Sequence, residues 1–262
     1  MIRRGVWCAR AQAGKAILMA TDDRARGDAY GLEGGRQHHR DVSGGWLRPA
    51  VFGAMDGLVT NVSLIAGVGG GGGSAHTIVL TGLAGLAAGA CSMAAGEFVS
   101  VSSQNELVQA EVNKERIELE RNPAFEQAEL AGMLRARGVS AATARQAAEE
   151  ISAQPEKALA VHALEELGVD PGELPSPVVA AGASMASFAV GALIPLIPYL
   201  AGLDVLGVAL GLAAVAAVVG GGMVARMTDR PFWRGALRQL ILGAFAVAVT
   251  YLIGSLVGHV TG

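Results

Sequence analysis

The chain has 262 residues, of which 52% are hydrophobic and 16% charged, and its mean hydropathy is +0.42. Soluble domains are about one-quarter charged, so this composition excludes an ordinary soluble fold. The formal net charge of −3 averages unlike segments and makes no case for a nucleic-acid partner. Residues 1–48 hold nine Lys/Arg and five acids, residues 49–103 hold only Asp56 and Glu97, and residues 104–175 hold seven Lys/Arg and fourteen acids.

Residues 1–45 read as a disordered cytosolic extension, or as a product of start-site choice. Their apolar patch, residues 16–20, is too short for a signal-peptide core. Cys8 and Cys91 lie in unlike segments and give no disulfide framework. A helix needs about 20 apolar residues to cross the hydrocarbon core, and five segments qualify: 49–68, 77–99, 178–200, 203–225 and 236–258. The first two spans fall within residues 46–103 and the last three within 176–262. The glycines at 69–73 read as a flexible turn, because no strand precedes them and no Lys-Ser/Thr follows, as a phosphate loop would require.

Span 2 is expected to run without a break into the charged stretch from Gln104 to Arg121. Pro123 then begins a second helix of the insert at a tolerated first-turn position. Gly138 ends that helix, Ser140 caps a third, and Pro155 begins a fourth that ends at Gly168. A turn-rich segment starting at Asp170 returns the chain to the membrane. The predicted fold is therefore all-α: a five-span transmembrane bundle with a soluble, acidic helical insert, residues 104–175, between spans 2 and 3. Lys and Arg set the orientation. With a cytosolic N-terminus, Arg36, Arg40, Arg48, the insert, Arg226, Arg230, Arg234 and Arg238 all fall inside, and an odd number of spans puts the C-terminus outside.

Polar residues inside the spans carry the functional signal. Gly53, Asp56, Gly57, Thr60 and Asn61 recur at helical spacing and form one stripe on span 1. An intramembrane acid is costly and is a functional candidate by default. It also has a structural reading, as an Asp held by Thr60 or Asn61 between helices. Gly85, Gly89, Met93 and Glu97 follow at i+4 steps on span 2. There the small-xxx-small pair lets helices approach closely and brings a thioether and a carboxylate with it. Beside Asp56, these form a mixed O/S set suited to a borderline metal.

In the insert, Glu115 and Glu118 are three apart, as are Glu126 and Glu129, so each pair shares a helix face. Two such pairs on adjacent helices can surround a cation with carboxylate oxygens. They can equally be a solvated face, ion-paired with Lys114, Arg116 and Arg121.

Two motifs resemble the vacuolar iron transporter family: Phe52-Gly-Ala-Met-Asp-Gly-Leu-Val-Thr in span 1 and Ala90-Cys-Ser-Met-Ala-Ala-Gly-Glu-Phe-Val-Ser in span 2. The resemblance covers roughly residues 45–258, including the span count and the position of the insert. It implies a homodimer of five-span protomers, an expectation the glycine stripes share, with a proton-coupled pathway between the two protomers that Asp56 and Met93 line. It also implies that the insert is a cytosolic metal-binding module in which Glu115, Glu118, Glu126, Glu129 and Glu166 are ligands. Plant relatives carry a methionine pair where this chain has His162-Ala163. An imidazole can replace one soft ligand; Ala163 cannot ligate.

The expected function is export of Fe²⁺ or Mn²⁺ from the cytosol in exchange for protons, with Zn²⁺ or Co²⁺ as alternative ions and no cofactor beyond the carried ion. Asp56, Met93 and Glu97 would pass the ion through the bilayer of a bacterial cell membrane or a vacuole-type membrane. A membrane-anchored metal sensor or buffer is the main rival, and it leaves Asp56 unexplained. A membrane metalloenzyme would want Glu-x-x-His pairs, which the sequence lacks.

Overall fold

The computed structural model describes residues 45–261. The extension expected at residues 1–45, with Cys8, His38 and His39, lies outside the described residues except for Gly45. Five helices are long and apolar enough to cross a membrane: Leu47–Gly70 (α1), Ala75–Arg121 (α2), Pro177–Leu200, Leu206–Met227 and Phe232–Val260. No strand occurs among the described residues, and the chain is an all-α membrane bundle.

Helix α2 is a single helix of 47 residues, about 70 Å long at 1.5 Å per residue. Its N-terminus is capped by Ser74, whose hydroxyl accepts from the Thr77 N–H. Its first half is a span and its second half one wall of the insert. Three shorter helices complete the insert: Pro123–Ala136 (α3), Ala141–Ser152 (α4) and Pro155–His162 (α5). Pro123 and Pro155 occupy first-turn positions, and Ser140 caps α4 by accepting from the Thr143 N–H. Val112, Leu159 and Ala163 form one small core in the insert, and Leu130, Ala131 and Ala148 another.

The third span departs from a plain helix. It runs as α6 (Pro177–Leu193), a 3₁₀ turn at Ile194–Leu196 and a last turn α7 (Ile197–Leu200). Pro195 and Pro198 each lack the N–H that an α-helix interior needs, which accounts for the tightened turn. Spans four and five are α8 (Leu206–Met227) and α9 (Phe232–Thr261).

Helix α1 packs against α2, α6, α8 and α9, and glycines set how closely. A Cβ at Gly53 or Gly57 would collide with α6 backbone at Ser184 and Phe188, and one at Gly191 would collide with Ala54 and Leu58. At the other end of α1, a Cβ at Gly254 or Gly258 of α9 would meet the backbone of Gly67 or Gly71. The glycine run beginning at 69 is thus only partly a turn: α1 stays helical through Gly70, and the glycines around it let α9 close on its end. Gly85 and Gly89 meet Leu64 and Phe188 of the same chain, so these two glycines set close packing within the chain.

Gly191→Val should force α1 and α6 apart, costing about 2 kcal/mol or more by overpacking. Thermal unfolding in detergent measures this, with Gly182→Val, which meets nothing within 4 Å, as the matched control that should stay near wild type.

Candidate functional site

Four insert residues converge. Glu115 comes from α2, Glu126 from the first turn of α3, His162 from the end of α5, and Glu166 from the π-helical turn Ala163–Leu167 that continues α5. One ligand atom from each lies within 4.8 Å of all the others. His162 is fully buried, Glu115 and Glu126 are buried, and Glu166 is exposed. His162 Nδ1 stands 3.0 Å from Glu115 Oε1, 3.1 Å from Glu166 Oε1 and 3.8 Å from Glu126 Oε2. An imidazole Nδ1 carries at most one proton, so it can donate to only one of these three carboxylates. Glu115 Oε1 and His162 Nε2 are buried without a hydrogen-bond partner.

The local sequence explains the placement. Pro123 turns α3 back immediately after α2, bringing Glu126 beside Glu115. The α-to-π switch after His162 keeps Glu166 on the imidazole side at i+4, and π turns of this kind are frequent at functional sites. Arg137 pairs with Glu165 and fixes the residue next to Glu166. Ala163 is buried against Val112 and Leu159. Glu118 and Glu129, one turn from Glu115 and Glu126, lie exposed beside the cluster rather than in it.

Burial, then repulsion from Glu166, pushes the Glu115 carboxyl up to about 7, against the opposing pull of His162. Burial and the neighbouring Glu129 also raise Glu126. The site is therefore short of positive charge, and holding it ionised costs free energy.

The intramembrane candidates are arranged differently. Asp56 is half-buried, and Thr60 of its own helix donates to its Oδ1 at 3.4 Å. Asn61, by contrast, ties helices together: its Nδ2 donates to the Ala192 carbonyl of the third span at 2.5 Å. The polar stripe on α1 thus divides, with Gly53, Gly57 and Asn61 spent on the α6 contact and Asp56 with Thr60 left beside it. Met93 packs against the Ala90, Phe188 and Ala192 cluster. Glu97 lines a cavity of 590 Å³ that it shares with Met55, Arg48 and Arg238. Sequence reasoning passed over Met55 because an isolated methionine in a span reads as packing. Among the described residues no hydrogen bond or ion pair joins Asp56, Met93 and Glu97. The carboxyl-terminal His259 rests its Nδ1 on the Ser255 carbonyl at 2.7 Å.

These features define an integral membrane protein with a polar residue line in its spans and a carboxylate–imidazole cluster outside them. Residues 47–255 match the model of the VIT family. A vacuolar iron transporter of Acanthamoeba castellanii is 35% identical over 227 residues, 84% of this chain and 82% of the relative. Vacuolar iron transporter homolog 1 of Oryza sativa is 37% identical over 81% of this chain and 74% of its own. Its Arabidopsis thaliana counterpart is 34% identical over 81% and 84%. The chain belongs to the VIT family.

The raised Glu115 carboxyl gives a pH signature. Between the ordinary value of 4.5 and about 7, the folded chain holds a proton that the unfolded chain has released. Stability from this group is therefore lost as pH rises through that window. In chelator, Glu115→Gln should raise the thermal midpoint at pH 8 and leave it near wild type at pH 5, read by parallel thermal scans.

Proposed function

We propose that this chain moves Fe²⁺ or Mn²⁺ out of the cytosol in exchange for protons, with the insert gathering the ion and the spans passing it. The observation that carries this reading is the convergence of three carboxylates on a buried imidazole, one of them, Glu115, on the same helix that bears Met93 and Glu97. Family membership and relatives named as iron transporters support it.

The donor set decides the ion class. Three carboxylate oxygens and one imidazole nitrogen suit Fe²⁺, Mn²⁺, Zn²⁺ or Co²⁺, and offer Cu⁺ no soft sulfur. Ligands about 2.1 Å from a shared ion lie at most about 4.2 Å apart, so the cluster needs to contract by only a few tenths of an ångström. An ion there supplies the missing positive charge, displaces the Glu115 proton and takes up orphaned lone pairs, so affinity should fall with acid.

Glu115 is 22 residues beyond Met93, about 33 Å along α2, so the cluster concentrates ions but does not define their path. Asp56, in the apolar body of α1, is the proposed carrying group. A carboxylate there is stabilised by either a proton or a cation, and exchange between the two couples the flows. Met93 is the proposed thioether on the route and Glu97 the carboxylate at its insert end. We place Glu118 and Glu129 as outer carboxylates that draw ions toward the cluster. A second copy of the chain would cover the outer face of α2, where Ala84, Ala87, Ala88 and Ala95 are exposed.

The proposed orientation puts the insert in the cytosol and the C-terminus outside, in a bacterial cell membrane or a vacuole-type membrane. A periplasm- or lumen-active reporter fused after Gly262 should be active, and one within 140–155 inactive; the reverse pattern overturns the orientation. In liposomes with an imposed pH gradient, Asp56→Asn should abolish metal uptake while the insert still binds Mn²⁺. The variant with Glu115, Glu126 and Glu166 changed to Ala should lose that binding yet transport at high metal, with a raised apparent KM. Robust flux through a folded Asp56→Asn protein would sink the carrier mechanism and favour a membrane-anchored sensor.

A further inference from the structure

The polar line on α1 does not end at Asp56. Asp56, Thr60, Ser63 and Gly67 follow at i, i+4, i+7 and i+11, on one face of the helix, with Phe52 a turn before them. Burial rises along this face: Phe52 is 60% exposed, Asp56 and Thr60 are half-buried, and Ser63 is 8% exposed. Ser63 Oγ has no hydrogen-bond partner. Hydroxyls inside helices can bond back to a carbonyl of the preceding turn, as those of Ser187, Thr250 and Ser255 do at 3.1, 3.0 and 2.9 Å. A buried oxygen left unpaired is costly. Kept so on the face of an intramembrane carboxylate, it is free to take a passing ion or the water around it.

Beyond Ser63 this face is covered by α9. The backbone of Gly67 lies against Thr250, Tyr251 lies against Gly70, and a Cβ on Gly254 or Gly258 would meet Gly67 or Gly71. Helix α9 is seated unevenly. At its start, a Cβ on Gly221 or Gly235 would meet the other's carbonyl, and the Phe232 ring fills the space beside Gly222. Further along, an apolar cavity of 180 Å³ opens between α9, α1 and α8, with Val59, Val62, Gly243 and Val247 among its walls. From Leu237 to Val260 no residue of α9 is buried. The helix is thus anchored on α8 at the end nearest the insert, and its far half rests on α1 largely through glycine backbones.

Resting on Asp56 as the carrying group, we propose that the ion leaves it along this same face, past Thr60 to Ser63, and that the far half of α9 is the gate over that route. With α9 down on Gly67 and Gly71, Asp56 is closed off from the side away from the insert. When α9 swings on its anchored start, the Ser63 hydroxyl becomes the next oxygen for a hard divalent cation. Glycine surfaces suit such a gate, because they approach closely without large side chains that must unlock. A gate at the end away from the insert lets the ion reach Asp56 while the exit stays shut, as alternating access requires.

The test uses the full chain in liposomes with an imposed pH gradient, in a Cys8→Ser/Cys91→Ser background. A Cβ at Gly67 would stand 3.7 Å from that of Thr250, within the range a disulfide spans. Oxidised Gly67→Cys/Thr250→Cys should carry Mn²⁺ at about one-tenth of its reduced rate or less, with binding by the insert unchanged. Either single variant should carry Mn²⁺ equally under oxidant and reductant. Ser63→Ala tests the route without touching the gate: flux should fall about tenfold at unchanged apparent KM. Its thermal midpoint should be no lower than wild type, because alanine removes an unpaired buried oxygen. Ser184→Ala makes the same change at another buried, unpartnered hydroxyl, one on α6, and should stay within about twofold of wild type. A background protein that binds Mn²⁺ but shows no flux would defeat the transport reading, and the gate with it. Flux that survives complete disulfide formation, read by thiol titration, would overturn the gate alone, as would failure of the disulfide to form. Full flux in Ser63→Ala, or equal losses in Ser63→Ala and Ser184→Ala, would take Ser63 off the route and overturn the proposal.

Discussion

The uninterrupted helix Ala75–Arg121 is the constraint on which the rest depends. Backbone that leaves its hydrogen bonds unmade is intolerable in hydrocarbon, so a span must be helical until it reaches water. Continuing the same helix beyond that point fixes Glu115 rigidly relative to Met93 and Glu97. The insert is then built on a wall that the membrane already holds straight, and Asn105 of α2 donates to the Pro175 carbonyl at 2.9 Å, pinning the return of the chain to the same helix.

Two kinds of cost are concentrated in this molecule, and they are handled differently. In the spans, closeness is achieved by omission: glycines at 53, 57 and 191 let α1 and α6 touch through their backbones, which leaves Asp56 at the edge of a tightly closed contact. In the insert, charge is gathered against its own repulsion. A buried imidazole faces three carboxylates, and burial, then repulsion from Glu166, pushes the Glu115 carboxyl up to about 7. On the function proposed here, a divalent ion arriving at the cluster would remove this cost.

Most of the architecture was legible in the sequence because hydrocarbon imposes simple rules. Span number and helix type follow from apolar length, and the insert's helix boundaries follow from Pro123, Ser140 and Pro155. The 3₁₀ turn at Ile194–Leu196 was hidden, since prolines mark a distortion without saying which form it takes. The stripes were legible as faces but not as partners: helical spacing put Gly53, Asp56 and Asn61 together, yet only packing shows that Asn61 is spent on the Ala192 carbonyl. Within the insert, i,i+3 spacing paired Glu115 with Glu118 and Glu126 with Glu129. The fold instead draws one member of each pair inward to meet His162 and Glu166, a choice set by how α3 and α5 approach α2, which spacing along one helix cannot contain.

The central claim is that one intramembrane carboxylate exchanges a proton for a metal ion, and proton movement is its most direct measure. Liposomes carrying the protein with the insert facing outward, loaded with a pH-sensitive dye, would receive external Mn²⁺. Interior alkalinisation that tracks Mn²⁺ entry, and is absent with Asp56→Asn, is the result expected. Mn²⁺ entry without any change of internal pH would contradict it.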